Sequence, residues 1–121
     1  MSIERGIMLL QKELTDKTKA WNKIFQSFKN NGTDVQTWSL SRGNGCYFHV
    51  DISGNKLIIK ISNEETPSCK ITNDRTVDFQ QFEFVANYYN SYVKGIKGIR
   101  EKMRDGCQNS SYIISLIARF L

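Results

Sequence analysis

The sequence has one histidine, one proline and three cysteines among its 121 residues. The cysteines, Cys46, Cys69 and Cys107, lie far apart in the chain, and no C-x-x-C pair occurs. With one histidine, a zinc site would have almost no ligands, so we predict neither a metal nor another cofactor. We also expect all three cysteines to be reduced thiols, at least two of them small residues of the core.

A long hydrophobic run is missing as well. No apolar stretch approaches the roughly 20 residues that a membrane-spanning helix needs. Glu4 and Arg5 precede a periodic segment, and no small-residue cleavage site follows them, which is unlike a secretory signal peptide. These absences predict a cytoplasmic protein with no membrane partner.

The composition is that of an ordinary globular domain with a basic balance. Hydrophobic residues make up 40% of the chain and charged residues 24%. This length has room for one core, so we predict a single domain over residues 1–121. The 17 lysines and arginines outnumber the 12 acids, and a net charge of +5 favours acidic partners. The position of the charges is more informative than their total.

Apolar residues at three- and four-residue steps predict one opening helix. Asn31 and Gly32 tolerate left-handed geometry and should end it, and one gap lies at Lys17 and Thr18. The apolar stripe consists of Ile3, Ile7, Leu10, Leu14, Trp21, Phe25 and Phe28.

Residues 46–61 then alternate between apolar and polar side chains, as expected for two strands with one buried face. Gly54 and Asn55 form a two-residue hairpin turn between these strands. Counting outward from the turn places three apolar pairs on one sheet face, which should face the helices. The pairs are Ile52 with Leu57, Val50 with Ile59, and Phe48 with Ile61.

Two further strands should flank this hairpin. Residues 35–41 predict an earlier strand, and residues 68–72 predict a short fourth strand after Pro67. The glycine-rich stretch Arg42-Gly43-Asn44-Gly45 lies between two strands and not before a helix. It therefore favours a hairpin turn over a phosphate-binding loop.

Asp78 marks the start of a second helix, because Gln81 follows three residues later and Val77 and Phe82 are placed to form a hydrophobic staple. The buried stripe of this helix should contain Phe82, Val85, Ala86, Tyr89, Tyr92 and Val93. Gly95 and Gly98, which follow this stripe, should weaken the second helix.

A final helix should begin behind a cap at Asn109 or Ser110. It has too many apolar residues for one narrow stripe, so either the opening helix or a second chain should cover it. The predicted fold class is α+β: an N-terminal helix, an antiparallel meander of three to four strands, and two C-terminal helices packed on one sheet face.

His49 and Asp51 share one face of a strand, where a carboxylate could orient the imidazole as a general base. In the predicted register His49 lies opposite Lys60, which indicates an exposed polar face. No nucleophile or oxyanion donor can be named beside them. We therefore predict no catalytic residue and no enzyme, and keep a small enzyme using this pair as a third hypothesis.

Residues 94–104, which we call the basic segment, carry five cations against the single acid Glu101. Cations on a glycine-flanked segment can adjust to a phosphate backbone, although a solvated surface without a ligand is the alternative. Asn109, Ser110 and the first amides of the last helix would add a positive dipole end. The predicted nucleic-acid-binding residues are Lys94, Lys97, Arg100, Lys102, Arg104, Asn109 and Ser110.

One combination of these features can be compared with a known family. A Val- and Ile-rich hairpin precedes Phe82-Glu83-Phe84-Val85, a basic loop with glycine, Asp105 and the stretch from Asn109 to Ile117. Over roughly residues 38–120 this pattern resembles a small α+β module of bacterial restriction and HNH-nuclease proteins. In the family the module is non-catalytic and accompanies a nuclease or another effector. This chain has no HNH motif.

The resemblance implies a DNA-binding or accessory module linked to restriction or mobile elements. Its partners would then be DNA and a nuclease or another protein. The alternative is a protein-interaction domain, with a homodimer formed through the opening or the closing helix as one option.

Overall fold

The computed structural model describes residues 14–29, 31–62, 69, 71 and 73–121. In chain order they form helix α1 (Lys17–Ser27), strands β1 (Thr33–Ser39), β2 (Gly43–Ser53), β3 (Lys56–Ile61) and β4 (Arg75–Val77), and helices α2 (Phe79–Val93), α3 (Ile99–Gly106) and α4 (Ser110–Phe120). The strands form one antiparallel sheet in the order β1-β2-β3-β4. The predicted α+β meander is confirmed. Three helices follow the sheet within the described residues, where two were predicted.

The β2–β3 hairpin has the predicted register, with Ile52 opposite Leu57, Val50 opposite Ile59 and Phe48 opposite Ile61. Four of these side chains, Phe48, Val50, Leu57 and Ile59, are completely buried. Ile52 is half-buried, whereas Ile61 is 57% exposed although the register places it on the same face as Phe48. The reason is its place at the end of β3, beyond the residues that pair with β4.

Helix α1 begins later than one continuous opening helix would. Leu14, Thr15 and Asp16 are not helical, and the Asp16 carboxylate caps the helix by accepting from the Lys19 amide at 3.0 Å. The Asn90 side chain holds the preceding backbone through both polar groups of Leu14, at 2.8 and 3.0 Å. The gap at Lys17 therefore marks a helix start. The predicted apolar positions Ile3, Ile7 and Leu10 lie outside the described residues.

The fourth strand also lies further along the chain than predicted. β4 is Arg75–Val77, and its pairing of Val77 with Leu57 adds a buried valine to the core. Within the predicted stretch, residues 68–72, Cys69 and Ile71 are described, and they are buried but not in a strand. Apolar alternation there reflects burial without sheet pairing.

Helix α2 begins where predicted. The Asp78 carboxylate accepts from the Gln81 amide at 2.8 Å, so it satisfies a donor that the helix itself leaves unpaired. The predicted stripe faces the core, with Val93 half-buried and the other five residues buried. Burial raises the pKa of Tyr89, the deepest tyrosine of this stripe, to about 12.

Helix α4 is covered on more than one side, as predicted. The six residues 113–118 are all buried, which no single apolar stripe would produce. α4 packs over β1, and α1 lies against it with the rings of Phe28 and Phe120 5.0 Å apart. Of the two predicted covers, the described structure therefore has the opening helix.

The prediction of reduced cysteines was wrong for two of the three residues, whereas the prediction of at least two core cysteines is confirmed by Cys69 and Cys107. Cys46 and Cys69 form a disulfide with their Cα atoms 5.1 Å apart, and Cys107 is a buried free thiol. The Cys69 amide also donates to the Tyr47 carbonyl at 2.8 Å. This hydrogen bond holds Cys69 beside β2, so two cysteines separated by 23 positions become neighbours.

No helix among the described residues is both long enough and apolar enough to span a membrane.

Candidate nucleic-acid interface

The basic segment makes a tight turn between α2 and α3. Gly95 and Gly98 have φ values of 76° and 85°, a left-handed geometry that glycine adopts without steric cost. The first ends α2 and the second stands at the N-cap of α3. Four of the five predicted cations, Lys94, Lys97, Lys102 and Arg104, are exposed on this turn and helix.

Arg100, the fifth cation, is half-buried and anchors the segment. Its guanidinium donates to the Ser110 hydroxyl at 3.0 Å, which ties α3 to the first residue of α4. Arg104 lies 3.7 Å from Asp105, and both side chains are largely exposed. Such an exposed pair contributes little to folding, so Arg104 remains free to exchange partners.

Asn109 and Ser110 are 8% and 2% exposed, and their side chains have partners inside the molecule. The side-chain Nδ2 of Asn109 donates to the Gln81 side-chain oxygen at 3.0 Å and to the Thr76 carbonyl at 3.3 Å. It also accepts from Arg75 at 3.4 Å. These contacts join the start of α4 to α2 and β4. Asn109 is the cap residue of α4, but its side chain does not cap the helix.

The structure therefore divides the seven predicted binding residues into two groups. Lys94, Lys97, Lys102 and Arg104 face solvent, and Arg100, Asn109 and Ser110 are links between elements. The amides of Ser110 and Tyr112 also donate to the carbonyls of Cys107 and Asn109. Side-chain contacts to phosphate are therefore best offered by the exposed group.

Arg42 is a cation that the sequence reasoning did not connect with this site. It is exposed on the turn between β1 and β2, and its amide donates to the Ser39 hydroxyl at 3.1 Å. Residues 39–41 of this turn line a cavity of about 280 Å³ together with Gly95, Ile96, Gly98 and Arg100. The Leu40 amide fixes the approach by donating to the Tyr92 hydroxyl at 2.8 Å. More than fifty residues separate the two segments, so no local pattern could reveal that they meet.

A second cavity, of about 440 Å³, opens on the other side of the same turn. Its walls include Arg42, the Cys46–Cys69 disulfide, Ser111 and Tyr112. Ser39 lines both cavities, so they are neighbours at one end of the molecule. Among the described residues, the acid Glu101 lines the smaller cavity, and Asp105 lies beside Arg104.

The His49 group lies elsewhere, on the sheet face opposite the core. Its Nδ1 is 2.9 Å from Asp34 Oδ1 and its Nε2 is 3.3 Å from Asp51 Oδ1. The register places Lys60 opposite, as predicted, and its Nζ is 3.3 Å from Asp51 Oδ2. Both ring nitrogens thus face carboxylates, which leaves neither directed at a substrate as a general base must be.

The pKa of Asp51 in this group lies below its usual value. Partial burial acts to raise the pKa, but the Lys60 hydrogen bond and the neighbouring His49 outweigh it, so the pKa of Asp51 is lowered. A side chain at Gly32 would collide with both His49 and Asp51. The arrangement is that of a packed polar cluster on a sheet face.

Within the described part of the chain, no group of three or more histidine, cysteine or acidic residues is placed to hold a metal ion. Comparison with protein-family models, with curated proteins and with solved structures gives no match for this chain.

Proposed function

We propose that this protein binds nucleic acid through the basic segment and catalyses no reaction. The observation that carries the proposal is that the turn bearing Arg42 and the basic segment, which are distant in the chain, line one cavity. Arg42 lies on the turn that faces the basic segment across the smaller cavity. Lys97, Lys102 and Arg104 of the basic segment are exposed.

Exposed cations of this kind bind phosphate because they replace the counterions that condense on nucleic acid. Each phosphate contact releases counterions, so affinity falls as salt rises and depends little on base sequence. The long side chains of lysine and arginine can follow a backbone whose exact path varies. The described residues thus favour binding that reads charge more than sequence.

The test replaces Lys97, Lys102 and Arg104 with Gln, because all three are exposed. Arg100 stays, since its contact with Ser110 would confound folding with binding. Affinity for random duplex DNA should fall at every sequence, and the slope of log affinity against log salt should flatten by roughly 0.9 per lost contact. Stability in denaturant should barely change.

A matched control replaces Lys19, Lys23 and Lys29 with Gln, which removes the same three charges from exposed positions in and just after α1. Binding of this variant should stay close to that of the wild type. Equal losses in both variants would mean that net charge alone drives binding. Wild-type protein that binds neither duplex nor single-stranded DNA at low salt would end the proposal.

The protein-interaction alternative drew its support from the apolar surplus of the last helix. In the structure α4 places that surplus against β1 and α1 of its own chain. The described contacts therefore account for the surplus without a second copy. If nucleic-acid binding fails, a protein partner becomes the leading hypothesis again.

We also propose that the module acts as an accessory to a nuclease or another effector of restriction or mobile elements. The support is the resemblance of its hairpin, second helix and closing helix to such modules.

The proposed location is the cytoplasm. The Cys46–Cys69 disulfide makes this location a point to test, because disulfides persist mainly in oxidising compartments. Alkylation of thiols in intact cells would test this. Alkylated Cys46 and Cys69 would support the cytoplasm, and an oxidised pair would contradict it.

A further inference from the structure

The two cavities beside Arg42 differ in what they offer a ligand. The smaller one is bordered by Arg100 and by the glycine-rich turn of the basic segment. The larger one is bordered by Arg42, by the serine Ser111 and by the half-buried ring of Tyr112. Because Ser39 lines both, a ligand could run from the smaller cavity beside the basic segment to the larger one at Tyr112 over a single residue.

Tyr112 is held in place at this position. Its ring makes an edge contact with that of Phe48, 4.9 Å away, and the guanidinium of Arg75 lies over one face, 5.9 Å from the centroid, so a base would stack on the opposite face. A fixed aromatic ring at a cavity wall gives a flat base a surface to stack on without the cost of ordering the side chain. The nearby exposed Arg42 offers a phosphate contact next to that surface.

The geometry points to a single-stranded nucleic acid as the ligand of this end, with phosphates along the basic segment and Arg42 and an unstacked base in the cavity at Tyr112. This inference rests on the proposed function and specifies its ligand. Single-strand binders combine a positively charged groove with aromatic side chains that stack successive bases. A duplex keeps its bases stacked inside, so it could use the cations but not the cavity.

The shared chemistry, a phosphodiester chain with a free base, occurs in both DNA and RNA. The experiment therefore uses three probes of equal length: oligo-dT, oligo-U and a random DNA duplex. Affinities are measured at two salt concentrations for the wild type. We expect oligo-dT or oligo-U to bind at least about tenfold more tightly than the duplex, since stacking adds to the charge contacts. The difference between the two single strands shows which sugar the site prefers.

Substitutions at Tyr112 and Arg42 test where the base and its phosphate bind. Tyr112→Leu should weaken single-strand binding roughly 5- to 100-fold, the range expected for one lost stacking contact, and leave duplex binding unchanged. Tyr112→Phe keeps the ring and should bind like the wild type. Arg42→Gln should weaken single-strand binding, whereas Lys56→Gln, which removes an exposed charge beside the β2–β3 turn, should not.

A second probe of the cavity avoids any effect of Tyr112 on folding. Ser111 is exposed in the first turn of α4, where an acidic side chain is compatible with the helix. Ser111→Glu should therefore fold normally and repel a strand at the cavity mouth. Single-strand binding of Ser111→Glu equal to that of the wild type would overturn the inference.

The outcomes separate this inference from the proposed function. Wild-type protein that binds duplex and single strands equally, with a salt dependence, would overturn the inference and leave nucleic-acid binding in place. Binding to none of the three probes at low salt would end both. A single-strand preference that Tyr112→Leu and Ser111→Glu reduce would support both.

Discussion

Asp78 and Asn109 both stand at the start of a helix, yet their side chains make different hydrogen bonds. Asp78 caps α2 locally by accepting from an amide three residues on. Asn109 instead bonds across 28 residues to Gln81 and across 33 residues to Thr76. Sequence spacing revealed the first role because its partner is adjacent in the chain. The second depends on where the fold places α2 and β4, so sequence spacing could not reveal it.

Replacing Asp78 by Ala should lower the free energy of unfolding by about 1 kcal/mol. The Gln81 amide would lose its acceptor, and the positive end of the helix dipole would lose a favourable charge. Denaturant unfolding measures the change, with Asp74→Ala as a control at an exposed position outside the helix. An unchanged midpoint for Asp78→Ala would show that α2 gains nothing from this cap.

Asp51 should make stability depend on pH in the acid range. Its pKa in the folded protein lies below the ordinary value of 3.8, so the ionised carboxylate favours the folded state. That stabilisation is complete above the ordinary pKa and is lost as pH falls through it towards the lower folded value. Asp51→Asn should therefore be less stable than the wild type near about pH 7, and the gap should close towards about pH 3. Unfolding measured across this range checks the prediction, and a gap that widens on acidification would contradict it.

The β1 edge of the sheet is closed by side chains of α4. The Ser115 hydroxyl accepts from the Trp38 amide at 2.9 Å, and Arg119 donates to the carbonyls of Gln36 and Thr37 at 3.2 and 3.3 Å. An open edge strand presents unpaired groups that invite association, and these contacts satisfy several of them. Burial lowers the pKa of Arg119. The helix thus covers both the core and the sheet edge.

Hairpin and helix patterns were readable from the sequence because their partners are close in the chain. The β2–β3 register followed from a two-residue turn and alternating side chains. The position of β4 did not, because the pairing of Arg75–Val77 with β3 spans a long connection. The disulfide was not predicted for the same reason, because its two cysteines come together only where the chain that follows β3 returns to β2.

The disulfide predicts a definite pattern of thiol reactivity. Native protein should show no rapidly reacting thiol, because Cys46 and Cys69 are joined and Cys107 is buried with a raised pKa. Denaturation without reductant should expose one thiol, and denaturation with reductant all three. Three thiols in unreduced, denatured protein would restore the original expectation of reduced cysteines.

Loss of the disulfide should also lower stability. Replacing Cys46 and Cys69 together by Ser removes a constraint on the unfolded chain and should cost about 3 kcal/mol, given a separation of 23 residues. Wild-type protein unfolded under reducing conditions provides the control and should lose a similar amount. Equal stability in all three cases would mean that the link contributes nothing to the fold.

The molecule as a whole has one packed core and, beside the β1–β2 turn, an end that carries exposed cations and two cavities. α1 and α4 pack against each other, and their apolar residues merge with those of the sheet in one core. The turns beside Arg42, the basic segment and the two cavities gather at one end. The sequence revealed the charge of that end, but its cavities arise from segments that only the fold brings together.

The apolar contact between α1 and α4 could stabilise the fold of one chain or hold two chains together. Phe28 is 2% exposed and packs on Phe120, so Phe28→Ala should lower the free energy of unfolding by about 3 kcal/mol. Ile61→Ala, at a position that is 57% exposed, should change it by less than about 0.5 kcal/mol. For the wild type and for each variant separately, the denaturant midpoint should be unchanged between protein concentrations differing by about 100-fold, because a monomer's stability does not depend on concentration. A midpoint that rises with concentration, and does so less in Phe28→Ala, would mean that the same residues hold a dimer together and would favour the protein-interaction function.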